Sequence, residues 1–289
     1  MKKCYIKSLI LLVQLINFIL RRKSSRLNSI LSKYFSGFTE VIKISTRDGL
    51  KWEIPIASYV DCKIAMETLE LPILRFISEQ NLSGAYVVDM GANVGGVTVR
   101  LAKAVGSSGK VIAYEPNPVI AERLRKNLLL NSFNQVEIIQ MGVWSEPGSF
   151  ELHLPHHHNA GTASILDKES NINGTVVEID VEAFDFRWKQ LECPNIKLVK
   201  MDIQGAEKEA LKGMSHMLNK CKPNVIIEVC GESKRFDQRI SDLAFFFETM
   251  GYSKMTLLGY HTDKDLTITI DKAKDRSLDI FSGDVCFVA

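Results

Sequence analysis

The amino-acid sequence predicts an α/β fold in which a mostly parallel, doubly wound sheet carries helices on both faces. Three observations predict it. From residue 86 onward short apolar runs, at 86–90, 111–115, 136–140, 198–203 and 225–229, alternate with longer amphipathic stretches at 97–105, 118–130, 206–218 and 238–250. Each crossover between parallel strands must cover a sheet face, so strand and helix in repetition read as this architecture. A glycine-rich turn at 89–96 joins the first apolar run to the first helical pattern. Finally, 289 residues with 46% hydrophobic and 24% charged content can bury a core large enough to offset chain entropy.

The elements follow in order. The segment 1–40 contains an apolar run at 9–20 that is shorter than a membrane span requires and carries Gln14 and Asn17. Basic residues flank it, among them Lys2, Lys3, Lys7, Arg21, Arg22, Lys23 and Arg26, and no small-residue cleavage site follows. It reads as a helix packed on the domain, with peripheral membrane contact through a basic amphipathic helix over residues 1–26 as the alternative. Residues 41–56 alternate apolar and polar around Arg47-Asp48-Gly49, the pattern of a β-hairpin. Residues 62–80 read as one helix with Ile64, Met66, Leu69, Leu71, Leu74 and Ile77 as its buried positions, completing a small subdomain over 41–80. The remaining 81–289 form the principal domain. Asn117 before Pro118 marks a helix start, and Gly251 after Met250 marks a stop. Runs at 252–259 and 284–288 supply an antiparallel C-terminal pair, which brings the sheet to seven strands.

Composition excludes several classes. Lys and Arg outnumber Asp and Glu by 36 to 34, which gives no electrostatic reason to expect nucleic acid as a partner. Six scattered cysteines show no zinc-ligand spacing, so they read as reduced thiols in a cytoplasmic setting, and no metal is expected.

In open α/β sheets ligands bind beyond the carboxyl ends of the strands. The first such end is Asp89-Met90-Gly91-Ala92-Asn93-Val94-Gly95-Gly96, where Gly91 and Gly95 let backbone turn sharply beside a ligand. A dinucleotide fingerprint needs glycine where Asn93 stands, which disfavours a nicotinamide oxidoreductase. Asp89 suits a cationic ligand, and the pattern points to S-adenosylmethionine. The second strand ends at Glu115-Pro116-Asn117, placing a carboxylate where it can accept hydrogen bonds from both hydroxyls of a ribose. Val143 and Trp144, after the third strand, are candidates to enclose adenine, and core packing accounts for them equally well.

Asp202 ends the fourth strand, where a carboxylate can orient an acceptor hydroxyl, take its proton or help hold the cofactor. Glu228, a charge inside the apolar run 225–229, requires a partner or an edge, and is a second acceptor-side candidate. Glu207 reads as an acid complementing a helix dipole. Four of six histidines crowd into 153–158, a polar loop by its composition, and His158 is the candidate assisting base.

Taken together, the stretches 88–95, 113–118, 128–131 and 200–207 resemble the FkbM-type S-adenosylmethionine-dependent methyltransferases. The resemblance implies a Rossmann-like class I methyltransferase fold and cofactor roles for Asp89, Gly91, Asn93, Gly95 and Glu115, with Asn117 beside them. It also implies O-methylation of a hydroxyl on a sugar, polyketide or other small metabolite, so the expected partner is a small-molecule or glycan acceptor. One position departs from the family pattern: Gln204 stands where a glutamate is usual. That neutral amide leaves a catalytically weak or silent cofactor-binding protein as the rival from another class.

Overall fold

The computed structural model describes residues 8–11, 14, 41–55, 59–154, 175–230, 239–261 and 264–289. A hairpin of β1 (Val41–Ser45) and β2 (Lys51–Pro55) comes first, followed by α1 (Tyr59–Ala65) and α2 (Leu71–Glu79). Next come β3 (Tyr86–Met90), α3 (Thr98–Val105), β4 (Lys110–Tyr114), α4 (Pro118–Leu130) and β5 (Val136–Ile139). Short β6 (Gly142–Val143), β7 (Gly148–Leu154), β8 (Thr175–Glu182) and α5 (Phe184–Gln190) precede β9 (Ile196–Met201), α6 (Glu207–Lys212) and α7 (Ser215–Cys221). The chain then runs through β10 (Asn224–Cys230), α8 (Ile240–Thr249), β11 (Lys254–His261), β12 (Lys264–Thr269), α9 (Ile270–Ala273) and β13 (Ser282–Val288).

The principal sheet has the order β12-β11-β13-β10-β9-β3-β4-β5. Strands β10, β9, β3, β4 and β5 are mutually parallel, while β13 runs antiparallel between β10 and β11. The fold class is the one the sequence predicts, with eight strands in place of seven because β12 extends the C-terminal pair. Successive strand residues face opposite layers, and the core divides accordingly. Val88, Ile112, Val199 and Ile227 pack with Ala210, Met217, Leu243 and Phe247 of the helices on one face. Val87, Val111, Leu198 and Ile226 pack with Ile73, Phe76, Leu101 and Val105 on the other.

The hairpin joins the same body. Trp52 and Ile54 are fully buried against Ile64 of α1 and Leu124 of α4. Asn127 and Asn131 of α4 and its C-cap accept from the β2 backbone, Glu53 N–H at 3.0 Å and Lys51 N–H at 2.8 Å, which satisfies that edge. Ile10 is buried in this cluster, and the Gln14 amide donates to the Ala65 carbonyl at 2.7 Å. Among the described residues no helix is long and apolar enough to cross a membrane.

Three elements differ from the sequence reading. Residues 62–80 form two helices, because Glu67 and Glu70 adopt positive φ (56° and 43°) and the chain turns between them. That turn shifts the buried phase of α2 to Ile73, Phe76 and Ile77, leaving Leu71 and Leu74 only partly covered. The helix expected over 206–218 breaks at Gly213, where a Cβ would lie 2.0 Å from the Trp144 carbonyl oxygen, so backbone approaches too closely for a continuous amphipathic rod. Finally, the histidine-rich stretch is not wholly loop: Glu151, Leu152 and His153 belong to β7, which pairs antiparallel with β8 in a separate three-stranded sheet, β6-β8-β7. His153 is buried there, whereas His156, His157 and His158 lie outside the described residues.

Candidate active site

The glycine turn after β3 is fixed by what surrounds it. Gly91 has φ 80°, and a Cβ there would fall 1.9 Å from the Asp202 carbonyl oxygen, so any side chain would drive apart the ends of β3 and β9. Backbone N–H groups of Gly91 and Ala92 both donate to the Tyr114 carbonyl, at 3.0 and 2.8 Å. Asn93, also at positive φ (51°), donates its N–H to Glu115 Oε2 at 2.9 Å. Gly95 sits against Leu124 Cδ1, 2.7 Å from where its Cβ would be. The turn is thereby stitched to the end of β4.

Glu115 is buried, and its second oxygen accepts the Asn117 N–H at 3.0 Å. Burial pushes this carboxyl up to about 7 against the opposing pull of those two N–H groups and Lys200. Asn117, placed by the sequence both at a helix start and with the cofactor residues, caps α4: its Oδ1 accepts from Val119 and Ile120 N–H at 3.0 and 3.4 Å. Asp89 is likewise not at the surface of the cleft. It is fully buried beneath the turn, accepting the Thr98 hydroxyl at 2.6 Å and facing Lys200 Nζ at 3.6 Å.

A cleft opens above these strand ends. Gly91, Asn93 and Glu115 form one side, Met141, Val143 and Leu152 an apolar side, and Asp202, Ile203 and Gln204 the third. Of the two candidates for the apolar wall, Val143 lines the cleft. Trp144 does not, since its ring packs against Phe150 with centroids 4.8 Å apart in the second sheet. Tyr114 backs this wall, donating its hydroxyl to Glu182 at 2.7 Å, and Arg187 grips the same carboxylate at 2.9 and 3.0 Å.

The third side is acidic. Asp202, at the end of β9, accepts the Gln204 amide at 2.7 Å, and the same amide reaches Glu228 of β10 at 3.4 Å. The negative charge of Asp202, then burial, hold the Glu228 carboxyl well above the usual carboxylate range, so the pair retains a proton at neutral pH. The Glu207 carboxyl accepts the Ile203 N–H at 3.0 Å and is buried at the start of α6, where burial raises it to about 7. Sequence reasoning missed three further members: Lys200, Glu70 and Asp284. The rule that picked out Glu228, a charge inside an apolar strand, applies to Lys200 within 198–203 as well; Glu70 and Asp284 arrive from distant segments. Among the described residues no grouping of three or more His, Cys, Asp or Glu is arranged to hold a metal.

A buried carboxylate beside a glycine turn, an apolar wall and an acidic side define a cleft suited to an adenosyl cofactor bearing a cation, and ill suited to a diphosphate. The Methyltransferase FkbM domain matches residues 89–254, and the chain belongs to that family. The cofactor is S-adenosylmethionine. Curated relatives include Methyltransferase 1 of Beauveria bassiana, 24% identical over 168 residues that cover 53% of this chain and 67% of the relative. Methyltransferase sdnD of Sordaria araneosa is 28% identical over 178 residues, covering 50% of this chain and 66% of the relative. The crystal structure of a methyltransferase FkbM from Methylobacillus flagellatus KT is 17% identical, with a TM-score of 0.46, and the match covers 79% of this chain and 53% of that one. The chain thus spans about two thirds of the length of those curated relatives and about half of that crystallised chain.

Proposed function

We propose that this cleft transfers the methyl group of S-adenosylmethionine to a hydroxyl oxygen of a sugar, polyketide or other small metabolite. The observation that carries the reading is the acid pair Asp202 and Glu228 at the carboxyl ends of adjacent parallel strands, bridged by the Gln204 amide. When bound, the cofactor supplies an electrophilic methyl on a sulfonium, so the protein's tasks are positioning, exclusion of water and removal of one proton.

In this reading Glu115 accepts from the ribose hydroxyls, and Met141, Val143 and Leu152 flank the adenine. Asp202 accepts a hydrogen bond from the acceptor hydroxyl and takes its proton as the oxygen attacks. Glu228, already holding a proton, keeps its charge from competing with Asp202; a histidine of 156–158, His158 among them, is an assisting base. Gln204 supports a second reading, cofactor binding without transfer, because the amide cannot accept the proton that a glutamate there would.

One experiment separates the two. Incubating the protein with S-adenosylmethionine and a metabolite extract yields, under the first reading, a metabolite heavier by about 14 mass units, one CH₂. Stoichiometric binding with no methylated product supports the second. Absence of any binding sinks both.

A further inference from the structure

Lys200 sits where a cation is least expected, on a central strand of the sheet with 3% of its surface exposed. Its ammonium donates to the Gly91 carbonyl at 3.2 Å and lies 3.6 Å from Asp89 and 3.8 Å from Asp202. One side chain therefore touches the glycine turn, the acid under it and the acid at the end of β9. Glu70, from the turn before α2, Glu228 of β10 and Asp284 of β13 complete a ring of carboxyls whose charges act on this ammonium or on one another. Asp284 stands opposite Glu228 in the β10–β13 register, and Lys63 of α1 acts on it from outside the ring.

We propose that Lys200 is a positioning residue of the methyl-transfer site, a buried ammonium that locks the cofactor-side glycine turn to the acidic side of the cleft. The proposal rests on the cofactor reading above. Burial alone would weaken the ammonium's hold on its proton, but Asp89, Asp202, Glu70 and Glu228 outweigh it, so Lys200 stays charged and takes no part in proton transfer. The ring responds to the same charge. Burial raises Glu70 to about 7 and Asp284 to about 6, and Lys200 opposes both shifts. Glu70 Oε2 is buried without a hydrogen bond, so this charge is what steadies it.

The test compares wild type with Lys200→Met, with Lys200→Met/Asp89→Asn, and with Lys212→Met on the surface as control. The double variant removes cation and buried anion together, so it keeps the site neutral if the single variant fails to fold. Calorimetry with S-adenosylmethionine and with S-adenosylhomocysteine reads the positioning role. A cation acting through charge alone would, when removed, tighten the positively charged cofactor relative to its neutral product. A positioning cation loosens both together, by tenfold or more, with their ratio held within about twofold. Carboxyl NMR of glutamate-labelled protein reads the ring: Glu70 and Glu228 titrate at least one pH unit higher in Lys200→Met, Glu70 rises less in the double variant because the opposing Asp89 charge is also gone, and both are unchanged in Lys212→Met. Unchanged titrations, or affinity for S-adenosylmethionine that holds or rises, overturn the proposal. Should wild type bind neither compound, the cofactor reading fails, and the titrations alone decide whether Lys200 governs the ring.

Discussion

The Tyr114 hydroxyl donates to Glu182 at 2.7 Å, and this contact joins the end of β4 in the principal sheet to β8 in the smaller one. Both residues are buried and Arg187 supplies the balancing charge, so the wall of the cleft is held by a polar triad rather than by packing alone.

Removing different members of that triad should have unequal effects. Tyr114→Phe leaves Glu182 paired with Arg187 and is expected to cost about 1 kcal/mol. Arg187→Met strands a buried carboxylate and is expected to cost about 3 kcal/mol, the lower end for a broken buried pair because Arg187 is partly exposed. Urea denaturation of both variants checks the order, and equal losses would contradict it.

Gly91→Ala places a methyl against the Asp202 carbonyl and forces an L-residue to φ 80°. The expected destabilisation is about 3 kcal/mol, well beyond an ordinary surface change. Thermal shift with S-adenosylmethionine should show the cofactor's stabilisation abolished. A variant that is as stable as wild type and still cofactor-responsive would mean the ends of β3 and β9 can separate freely.

Glu115→Gln keeps the shape of the side chain and removes its charge. Loss of charge-assisted hydrogen bonds to ribose is expected to weaken S-adenosylmethionine binding by about tenfold or more. Asp202→Asn, by contrast, should lower methyl transfer by about 100-fold or more while leaving cofactor affinity within a few-fold of wild type. Calorimetry and single-turnover transfer distinguish the two profiles.

Stability should fall as pH rises. Glu70, Glu115 and Glu207 hold their protons to about 7 in the folded chain against an ordinary value of 4.5, and burial is the first cause in each. Groups that bind protons more tightly when folded stabilise fully below their unfolded values, and that stability is lost as pH climbs through the folded ones. Melting temperature is therefore expected to decline from pH 5 to pH 8, by at least about 4 °C, roughly what one or two kcal/mol produces at this size. S-adenosylmethionine, being cationic, favours the ionised acids, so its stabilising effect should grow over the same interval. A flat profile without cofactor would refute the burial argument. Gln204→Glu, which inserts a further carboxyl between Asp202 and Glu228, should steepen the decline.

The parts of this molecule that were legible in the sequence are those set by local chemistry. Asn117 and Pro118 start α4 where expected because the cap and the preset φ need no distant partner. The parallel strands announced themselves as apolar runs because they are covered on both faces. Breaks at Glu67 and Gly213 did not, since the latter depends on the Trp144 backbone, far away along the chain. Strand β7 was hidden because its Ser-Phe-Glu-Leu-His sequence is half polar and its partner β8 lies more than twenty residues on. Within the site, Glu115 and Asp202 follow from the strand-end rule, whereas the ring around Lys200 draws on Glu70 and Asp284, whose nearness only the three-dimensional arrangement discloses.

Strand β13 lies between β10 and β11 although both are made before it. Synthesis and spatial order therefore diverge at this flank of the molecule. A ribosome-bound chain can assemble the parallel half early, but it must leave an open slot beside β10 until residues 282–288 emerge. Asp284, opposite Glu228 in the β10–β13 register, therefore reaches that acid only once the slot is filled.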